Sequence, residues 1–288
     1  MRKFGLIGYP LGHSFSKQYF TDKFRREKIV DCSYENYPIS DIAQIKDIIK
    51  SEPELCGLNV TIPYKTKIID FLDFIAEEAE EIGAVNVIKI KRDKNKTLLY
   101  GYNSDYVGVS DSLRGCIEGM WQRHCEGDSP KQSSEIQCFG LLHSVRNDGK
   151  CGFSNSLIKQ ALILGTGGAS KAVHYTLQKA GVTVQFVSRE KSAGVLTYSE
   201  LTPKILATTQ LIVNSTPLGM FPNIKSLPEI NYKCLGSKHI LFDLVYNPEI
   251  TAFLQKGIEQ GCTIVTGVKM LVSQAERAWQ IWNDRFFA

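Results

Sequence analysis

Short apolar runs alternate with amphipathic stretches along the first hundred residues. The runs predict strands at 4–8, 32–37 and 55–62, and a hairpin formed by 85–91 and 97–102. Apolar positions at helical spacing predict helices at 16–27, 41–50, 67–75 and 77–82. Strands separated by helices indicate an α/β fold.

The same alternation returns in the second half of the chain. Strands are predicted at 160–164, 182–187, 210–214, 239–244 and 263–266, and helices at 169–180, 249–260 and 270–286. Between 108 and 155 the pattern is lost among turn-rich stretches. We therefore expect a long insertion at about 111–155 between two α/β regions.

Length and charge restrict the class of protein. The 288 residues are 43% hydrophobic, which suits about two domains, and the net charge of +4 is too small and scattered for a nucleic-acid surface. Neither a secretory signal nor an apolar run of about 18 residues is found. These features predict a cytoplasmic protein with no nucleic-acid or membrane partner.

Eight cysteines are present, and none forms a C-x-x-C pair. Four of them, together with His124 and His143, fall between 116 and 151, but their spacings match no zinc pattern. We expect free thiols and no metal site.

A glycine-rich turn follows the first strand of the second region. The turn comprises Gly165, Thr166, Gly167, Gly168 and Ala169. Gly165 permits a tight turn, Gly167 has no side chain to keep a pyrophosphate away, and the helix that follows offers free N–H groups to that anion. Ser170 stands where the dinucleotide fingerprint has a third small residue. The turn predicts nucleotide binding, although it also suits a purely structural role.

The end of the next strand bears on the choice of cofactor. NAD sites usually have an acidic residue about 20 residues after the turn, which bonds the ribose 2′-hydroxyl. Here Ser188 and Arg189 occupy this place, followed by Glu190 and Lys191. Arg189 can pair with a 2′-phosphate, and Ser188 and Lys191 can assist. The pattern favours NADP over NAD, whereas the alternative is a solvated charge cluster.

Polar residues follow two predicted strands of the first region. Ser14 and Ser16 lie at a helix start, where hydroxyl and N–H donors suit a carboxylate, although Ser16 is equally typical of an N-cap. Strand alternation places Asn59 and Thr61 on one face. Lys65 follows and can reach the same cleft, although a lysine after a strand is usually a surface residue.

Two further polar residues lie in apolar surroundings. Asn86 is alone in an apolar stretch, and Asp105 ends a polar cluster after the hairpin. A buried Asn or Asp needs hydrogen-bond partners. A pair of Asp105 with Lys65 would satisfy both charges and could pass a proton to a reacting hydroxyl, or it could be a structural salt bridge.

These segments, taken in order, resemble the shikimate dehydrogenase family across nearly the whole chain. The resemblance rests on the segments 8–16, 59–65, 83–86, 103–105, 165–169, 214–220, 243–248, 267–272 and Gln274. It implies an α/β enzyme with two domains, an N-terminal α/β substrate domain and a Rossmann-type NADP-binding domain, with a cleft between them. We expect the first domain at 1–108, with the C-terminal helix 269–288 packing back on it, and the second at 109–268.

The resemblance also implies an activity and a set of site residues. The family reversibly reduces 3-dehydroshikimate to shikimate with NADPH, a step of chorismate and aromatic amino acid biosynthesis. Lys65 and Asp105 correspond to the catalytic pair, and Ser14 and Ser16 to the holders of the substrate carboxylate. Ring hydroxyls are assigned to Asn59, Thr61, Asn86, Asp105 and Gln274. Tyr246 and Gly267 would lie near nicotinamide and substrate, and Thr216 would contact the cofactor.

Alternatives stay open from the sequence. Ser104 stands where the family usually has Thr, and the stretch 111–155 is longer than we expect for the family. A quinate/shikimate dehydrogenase with broader substrate or NAD use is the nearest alternative. A non-catalytic nucleotide-binding regulatory protein is another alternative. Such a protein could lose Lys65 or Asp105, but both residues are present here. A monomer and a homodimer are equally compatible with the sequence.

Overall fold

The computed structural model describes residues 1–11, 15–93, 96–114 and 158–283, and two six-stranded sheets organise them. The first sheet consists of β1 (Arg2–Gly8), β2 (Cys32–Pro38), β3 (Leu55–Val60), β4 (Phe74–Ile75), β5 (Val87–Asp93) and β6 (Lys96–Tyr102). Its order is β2-β1-β3-β5-β6-β4. β1 runs parallel to β2 and β3, whereas β5 runs antiparallel to β3 and β6.

The second sheet is parallel throughout its named pairs. It consists of β7 (Gln160–Leu164), β8 (Thr183–Ser188), β9 (Val195–Thr197), β10 (Leu211–Asn214), β11 (Ile240–Asp243) and β12 (Thr263–Val265), in the order β12-β11-β10-β7-β8-β9. Counted from β7, this is the 3-2-1-4-5-6 order of dinucleotide-binding folds, and ligands bind where that order reverses, beyond β7 and β10. The predicted α/β fold with a Rossmann-type second half is confirmed.

Eight helices connect or cover the strands of the described ranges. They are α1 (Phe15–Arg26), α2 (Ile45–Ser51), α3 (Glu77–Ile82), α4 (105–114), α5 (Gly168–Lys179), α6 (Pro203–Thr208), α7 (Ala252–Glu259) and α8 (Gly267–Trp282). Within these ranges, no helix combines the length and the apolar character that a membrane span requires.

Helix α8 joins the two halves of the molecule. Its first turn packs on the second sheet, since Met270 belongs to the apolar core there. Its last turn packs on the first sheet, where Trp282 stacks on Phe4 at 4.8 Å between ring centroids and donates from Nε1 to the Ile88 carbonyl at 3.0 Å. One helix therefore belongs to both cores and connects their positions.

The prediction of a single helix at 67–75 is wrong. The chain forms a 3-10 turn at Lys67–Phe71 and then strand β4. Apolar residues at 68, 69, 71 and 72 have helical spacing, but Phe74 pairs with Tyr100 of β6 and its ring stacks on that tyrosine at 4.8 Å. Edge pairing with a distant strand outweighs the local pattern.

Several predicted boundaries also shift. The helix expected at 249–260 begins only at Ala252, because the Thr251 hydroxyl caps it by accepting from the Leu254 N–H at 3.3 Å. The terminal helix expected at 270–286 begins at Gly267 and ends at Trp282. Helix α1 begins at Phe15, so Ser16 lies in its first turn and is not the N-cap.

The stretch expected to lack structure after 108 is partly helical, because α4 extends over 105–114. Most of the predicted insertion at 111–155, with its cysteines and histidines, lies outside the described residues. Helix α6 and strand β9 were not predicted, since both are too short for a periodic pattern to emerge.

Gly57 in β3 allows the close approach of Trp282. A Cβ atom added at Gly57 would lie 2.3 Å from the indole Nε1. We expect Gly57→Ala to lower the free energy of unfolding by about 1–3 kcal/mol, since buried overpacking forces side chains and backbone apart. Urea denaturation followed by tryptophan fluorescence measures the change.

Gly236 provides the matched control, because the nearest atom to an added Cβ there is 4.0 Å away. Gly236→Ala is expected to change stability by less than about 0.5 kcal/mol. Equal effects of the two substitutions would contradict a packing role for Gly57.

Candidate active site

Lys65 and Asp105 form an ion pair at the edge of the first sheet. The Lys65 Nζ lies 2.6 Å from the Asp105 Oδ2, and the side chains are 15% and 1% exposed. Lys65 follows β3 in a turn, whereas Asp105 opens helix α4. The two residues are 40 positions apart in sequence, and the fold brings them together as the sequence predicted.

Asn103 fixes the position of Asp105. Its Oδ1 accepts from the backbone N–H groups of Asp105 at 2.9 Å and Tyr106 at 3.4 Å, and its Nδ2 donates to the Ala84 carbonyl at 2.9 Å. This is the bonding of a helix cap, and it places the carboxylate at the positive end of the α4 dipole. Asp105 is therefore held at its own backbone N–H by Asn103 and at its carboxylate by Lys65.

Asn86 connects most of the polar residues of the cluster. Its Nδ2 donates to Asp105 Oδ1 at 2.8 Å and Ser104 Oγ at 3.0 Å, with Gln274 Oε1 at 3.4 Å. Its Oδ1 accepts from the Ser104 N–H at 2.7 Å. A buried amide bonded on both sides is rigid, so Asn86 holds Asp105 against Lys65 from the opposite side.

Asn59 and Thr61 line the same region from β3 and the turn that follows it. The Asn59 amide bonds the Tyr34 hydroxyl at 2.8 Å and the Asn86 carbonyl at 3.3 Å. Thr61 is half-buried, and its methyl group occupies the space beside Gly8, where an added Cβ would be only 2.4 Å away. The first strand can therefore approach closely at this end of the sheet.

Aromatic residues border the site from the other half of the chain. Tyr246 follows β11, and its ring lies 5.6 Å from the ring of Phe15 at the start of α1. Burial raises the pKa of Tyr246, so its phenol stays neutral at physiological pH. Ser16 is half-buried one residue beyond Phe15. Ser14, the other predicted carboxylate ligand, lies outside the described residues.

The glycine turn lies at the reversal point of the second sheet. Gly165 has a φ of 107°, and a Cβ there would lie 2.8 Å from Ser215 Oγ and 3.1 Å from Thr216 Cγ2. Only glycine combines this φ with so little space. Within the described ranges no side chain caps the α5 N-terminus at Gly167, so its first N–H groups are available to an anion.

The turn also touches the ion pair. A Cβ added at Gly168 would lie 3.0 Å from the Lys65 Cβ. The α5 helix is anchored on the first half by Lys171, whose Nζ donates to the Gly83 carbonyl at 3.1 Å, and by the pair of Lys179 with Glu81 at 2.8 Å. The predicted cofactor turn and the predicted proton-handling lysine are therefore neighbours.

Of the residues after β8, some already bond other protein groups and one is exposed to solvent. Lys191 Nζ pairs with Glu200 Oε1 at 2.5 Å, and Ser188 Oγ accepts weakly from the Glu190 N–H at 3.4 Å. Arg189 is exposed. Of the two basic residues considered for a 2′-phosphate, Arg189 remains the available one.

Gly267 is the first residue of α8 and packs against the backbone that follows β11. A Cβ at this position would lie 2.6 Å from the Leu244 carbonyl oxygen and 2.8 Å from that of Val245. Thr216, after β10, is fixed by Asn214 Oδ1, which accepts its N–H at 3.1 Å and its hydroxyl at 2.6 Å. Both residues lie at the carboxyl ends of the second sheet, Thr216 after β10 and Gly267 after β12.

Sequence reasoning missed three polar residues near this site. Tyr34 and Asn103 were assigned no role, and Asp243, fully buried at the end of β11, was noted only within a motif. Asp243 accepts from the Thr251 hydroxyl at 2.5 Å, the Asn214 Nδ2 at 3.0 Å and the Val245 N–H at 2.9 Å. An acidic residue that ends an apolar strand was the available signal.

Comparison with known proteins identifies the family. The model of the shikimate dehydrogenase substrate-binding domain matches residues 6–88. A shikimate dehydrogenase (NADP(+)) of Staphylococcus aureus strain MSSA476 is 34% identical over 294 residues, covering 98% of this chain and 93% of that protein. The chain belongs to the shikimate dehydrogenase family.

Solved shikimate dehydrogenases share the fold over the same extent. Shikimate dehydrogenase 1 of Peptoclostridium difficile is 34% identical, with a TM-score of 0.71 and coverage of 99% of this chain and 92% of that one. The Aquifex aeolicus shikimate dehydrogenase is 28% identical, with a TM-score of 0.75 and coverage of 98% and 92%. The resemblance that the sequence motifs predicted is confirmed.

The buried Asp243 gives a pH dependence of stability within this shikimate dehydrogenase fold. Burial raises its pKa from 3.8 to about 6, against the opposing effect of its hydrogen bonds. The folded state therefore binds a proton more tightly than the unfolded state. Its contribution to the free energy of unfolding is largest below pH 4, falls as the pH rises toward 6, and is constant above that pH.

Asp243→Asn removes this titration while keeping the shape of the side chain. We expect the stability difference between wild type and variant to shift by about 2 kcal/mol against the wild type between pH 4 and pH 7. Urea denaturation at half-unit pH steps measures it. Parallel stability profiles for the two proteins would show that Asp243 titrates normally.

Proposed function

We propose that the chain catalyses the reversible, NADP-dependent reduction of 3-dehydroshikimate to shikimate. The observation that carries the proposal is the contact between the Lys65–Asp105 ion pair and the glycine turn at Gly168. A proton-handling pair beside a dinucleotide turn suits carbonyl reduction. The curated relatives named shikimate dehydrogenase (NADP(+)) align with nearly the full chain and support this substrate.

The chemistry divides between cofactor and protein. Bound NADPH supplies the hydride, so the chain must orient the substrate and provide a proton. Negative charge develops on the carbonyl oxygen during reduction, and the Lys65 ammonium can stabilise this charge and donate the proton. Asp105 holds Lys65 through a 2.6 Å contact and orients the substrate hydroxyl. Either residue of this pair can serve as the group that transfers the proton.

The polar cluster around the pair suits a polyol acid. We assign ring hydroxyls to Asn59, Thr61, Asn86, Asp105 and Gln274, which project from β3, its following turn, the approach to β5, α4 and α8. Ser14 and Ser16 are assigned to the carboxylate. Tyr246 would cover the site from the second sheet.

The domain assignment follows from these roles. We propose a substrate domain at 1–108 that includes the C-terminal segment 269–288, which contains most of α8, and an NADP-binding domain at 109–268. The packing of Trp282 on Phe4 supports the return of the last helix to the first domain. A cytoplasmic location and a monomeric or homodimeric state stay predictions of the sequence.

The residues of the second sheet fit an NADP molecule. The uncapped N-terminus of α5, with Gly165 to Ala169, suits the pyrophosphate, and Thr216 and Gly267 border the nicotinamide end. Ser188 and the exposed Arg189 suit the 2′-phosphate. No acidic residue occupies the position that would bind a ribose 2′-hydroxyl of NAD.

A spectrophotometric assay of reduced nicotinamide tests the proposed function. Shikimate and quinate are each offered with NADP and with NAD. Turnover fastest with shikimate and NADP is expected. The absence of turnover with every pair would refute the enzyme and favour a nucleotide-binding regulatory protein.

Lys65→Ala is expected to lower kcat by roughly 10²–10⁴, the range for loss of general acid catalysis. Steady-state kinetics with shikimate and NADP measure the effect. The exposed Lys67, two residues further on, offers a matched control, and Lys67→Ala should leave kcat unchanged. A Lys65→Ala enzyme with wild-type kcat would refute the proposed role.

Arg189→Ala is expected to raise the KM for NADPH about 10- to 100-fold, because a charge-assisted bond to the 2′-phosphate is worth about 1.5–3 kcal/mol. The KM for NADH should hardly change, since that cofactor lacks the phosphate. Lys204→Ala, a loss of another exposed positive charge in the same half of the chain, controls for net charge. An equal rise of the KM for NADPH and the KM for NADH in Arg189→Ala would refute the NADP assignment.

A further inference from the structure

Tyr34 lies in β2, and its phenol hydroxyl reaches Asn59, one of the residues that we assign to the substrate. The side chain is 3% exposed, and its ring stacks on Phe20 of α1 at 4.6 Å with an interplanar angle of 12°. Its hydroxyl lies 2.8 Å from Asn59 Oδ1. Tyr34 touches neither Lys65 nor Asp105 by any hydrogen bond found among the described residues.

The surroundings of Asn59 decide which way its amide faces. Asn59 Nδ2 lies 3.3 Å from the backbone carbonyl of Asn86, and a carbonyl can only accept. The amide nitrogen must therefore face Asn86, and the amide oxygen faces Tyr34. It follows that the Tyr34 hydroxyl is the donor of the 2.8 Å bond.

This arrangement determines what Asn59 offers to a ligand. One N–H of the amide is bonded to Asn86 and the oxygen is bonded to Tyr34, which leaves the second N–H without a partner among the described residues. Asn59 then presents a donor, and a substrate hydroxyl must accept from it. Without the phenol hydroxyl, the amide oxygen would lose its buried partner, and only the bond to Asn86 would hold the amide in this orientation.

Burial also keeps the phenol protonated. It raises the pKa of Tyr34, and the opposing effect of Ser16 is smaller. The hydroxyl therefore keeps its proton and can donate to Asn59 over the whole physiological range of pH.

We propose that Tyr34 is a positioning residue for substrate recognition, which holds the Asn59 amide in its donor orientation. The proposal rests on the proposed function, because Asn59 is a substrate ligand only in that function. The ring of Tyr34 packs on Phe20 whether or not the hydroxyl is present. The hydroxyl alone is therefore the group to remove.

Tyr34→Phe is the test, and Tyr37→Phe is its matched control. Tyr37 lies on the same strand, and its buried hydroxyl has no hydrogen-bond partner among the residues that the structure describes. In Tyr34→Phe the KM for shikimate is expected to rise about tenfold, which corresponds to ~1.4 kcal/mol. The kcat, the KM for NADP and the melting temperature should stay close to those of the wild type. Tyr37→Phe should match the wild type in every measurement.

A double-mutant cycle shows whether Tyr34 acts through Asn59. Asn59→Ala alone is expected to raise the KM for shikimate, and adding Tyr34→Phe to it should raise the KM by less than about twofold more. A full tenfold effect of Tyr34→Phe in the Asn59→Ala background would overturn the proposal. An unchanged KM in the single Tyr34→Phe variant would overturn it as well.

The remaining outcomes distinguish a positioning role of Tyr34 from a purely structural role, and a failure of this proposal from a failure of the proposed function. Loss of folding, or an equal change of kcat and both KM values, in Tyr34→Phe but not in Tyr37→Phe would show a structural hydroxyl and overturn the proposal. A wild-type enzyme without shikimate turnover would overturn the proposed function itself. A fully active wild type with an unaffected Tyr34→Phe variant would overturn only the role of Tyr34.

Discussion

The negative charge of the buried Asp105 carboxylate must be balanced by an opposite charge and by hydrogen bonds. The arrangement of the site follows from the residues that provide them. A charge that is 1% exposed is strongly destabilising unless it is paired and hydrogen-bonded. Lys65 supplies the opposite charge, Asn86 supplies an amide donor, and Asn103 fixes the backbone at the start of α4 by accepting the Asp105 N–H. Three separate chain segments must meet for this one group, so the folded state is also the assembled site.

Two sheets with separate cores would leave such a site free to open. Helix α8 opposes this, since it begins against the carbonyls after β11 and ends in the aromatic core of the first sheet. The α5 helix adds polar contacts to the first half through Lys171 and Lys179. The cofactor half and the substrate half are thus connected on two sides of the cluster that we assign to shikimate.

The sequence was most informative where local pattern and tertiary structure agree. The β7 strand, the glycine turn and α5 were predictable because strand period, glycine placement and helix period coincide there. It was less informative where distant partners decide: Phe74 belongs to a strand only because Tyr100 lies beside it. Tyr34 is a similar case, since a tyrosine in a strand resembles any core aromatic until Asn59, 25 residues away, is seen to bond it. The pairing of Lys65 with Asp105 was suggested by their complementary charges and supported by the family resemblance, because no local period relates residues 40 positions apart.

The contact between Gly168 and the stem of Lys65 has a consequence for redesign. The loop that would hold the dinucleotide packs directly on the side chain of the lysine that would handle the proton. Interiors packed at this density transmit a displacement rather than absorb it. Rebuilding the turn for a different dinucleotide would therefore move the ammonium group, so cofactor preference in this scaffold is more safely altered at the exposed Arg189, which follows β8.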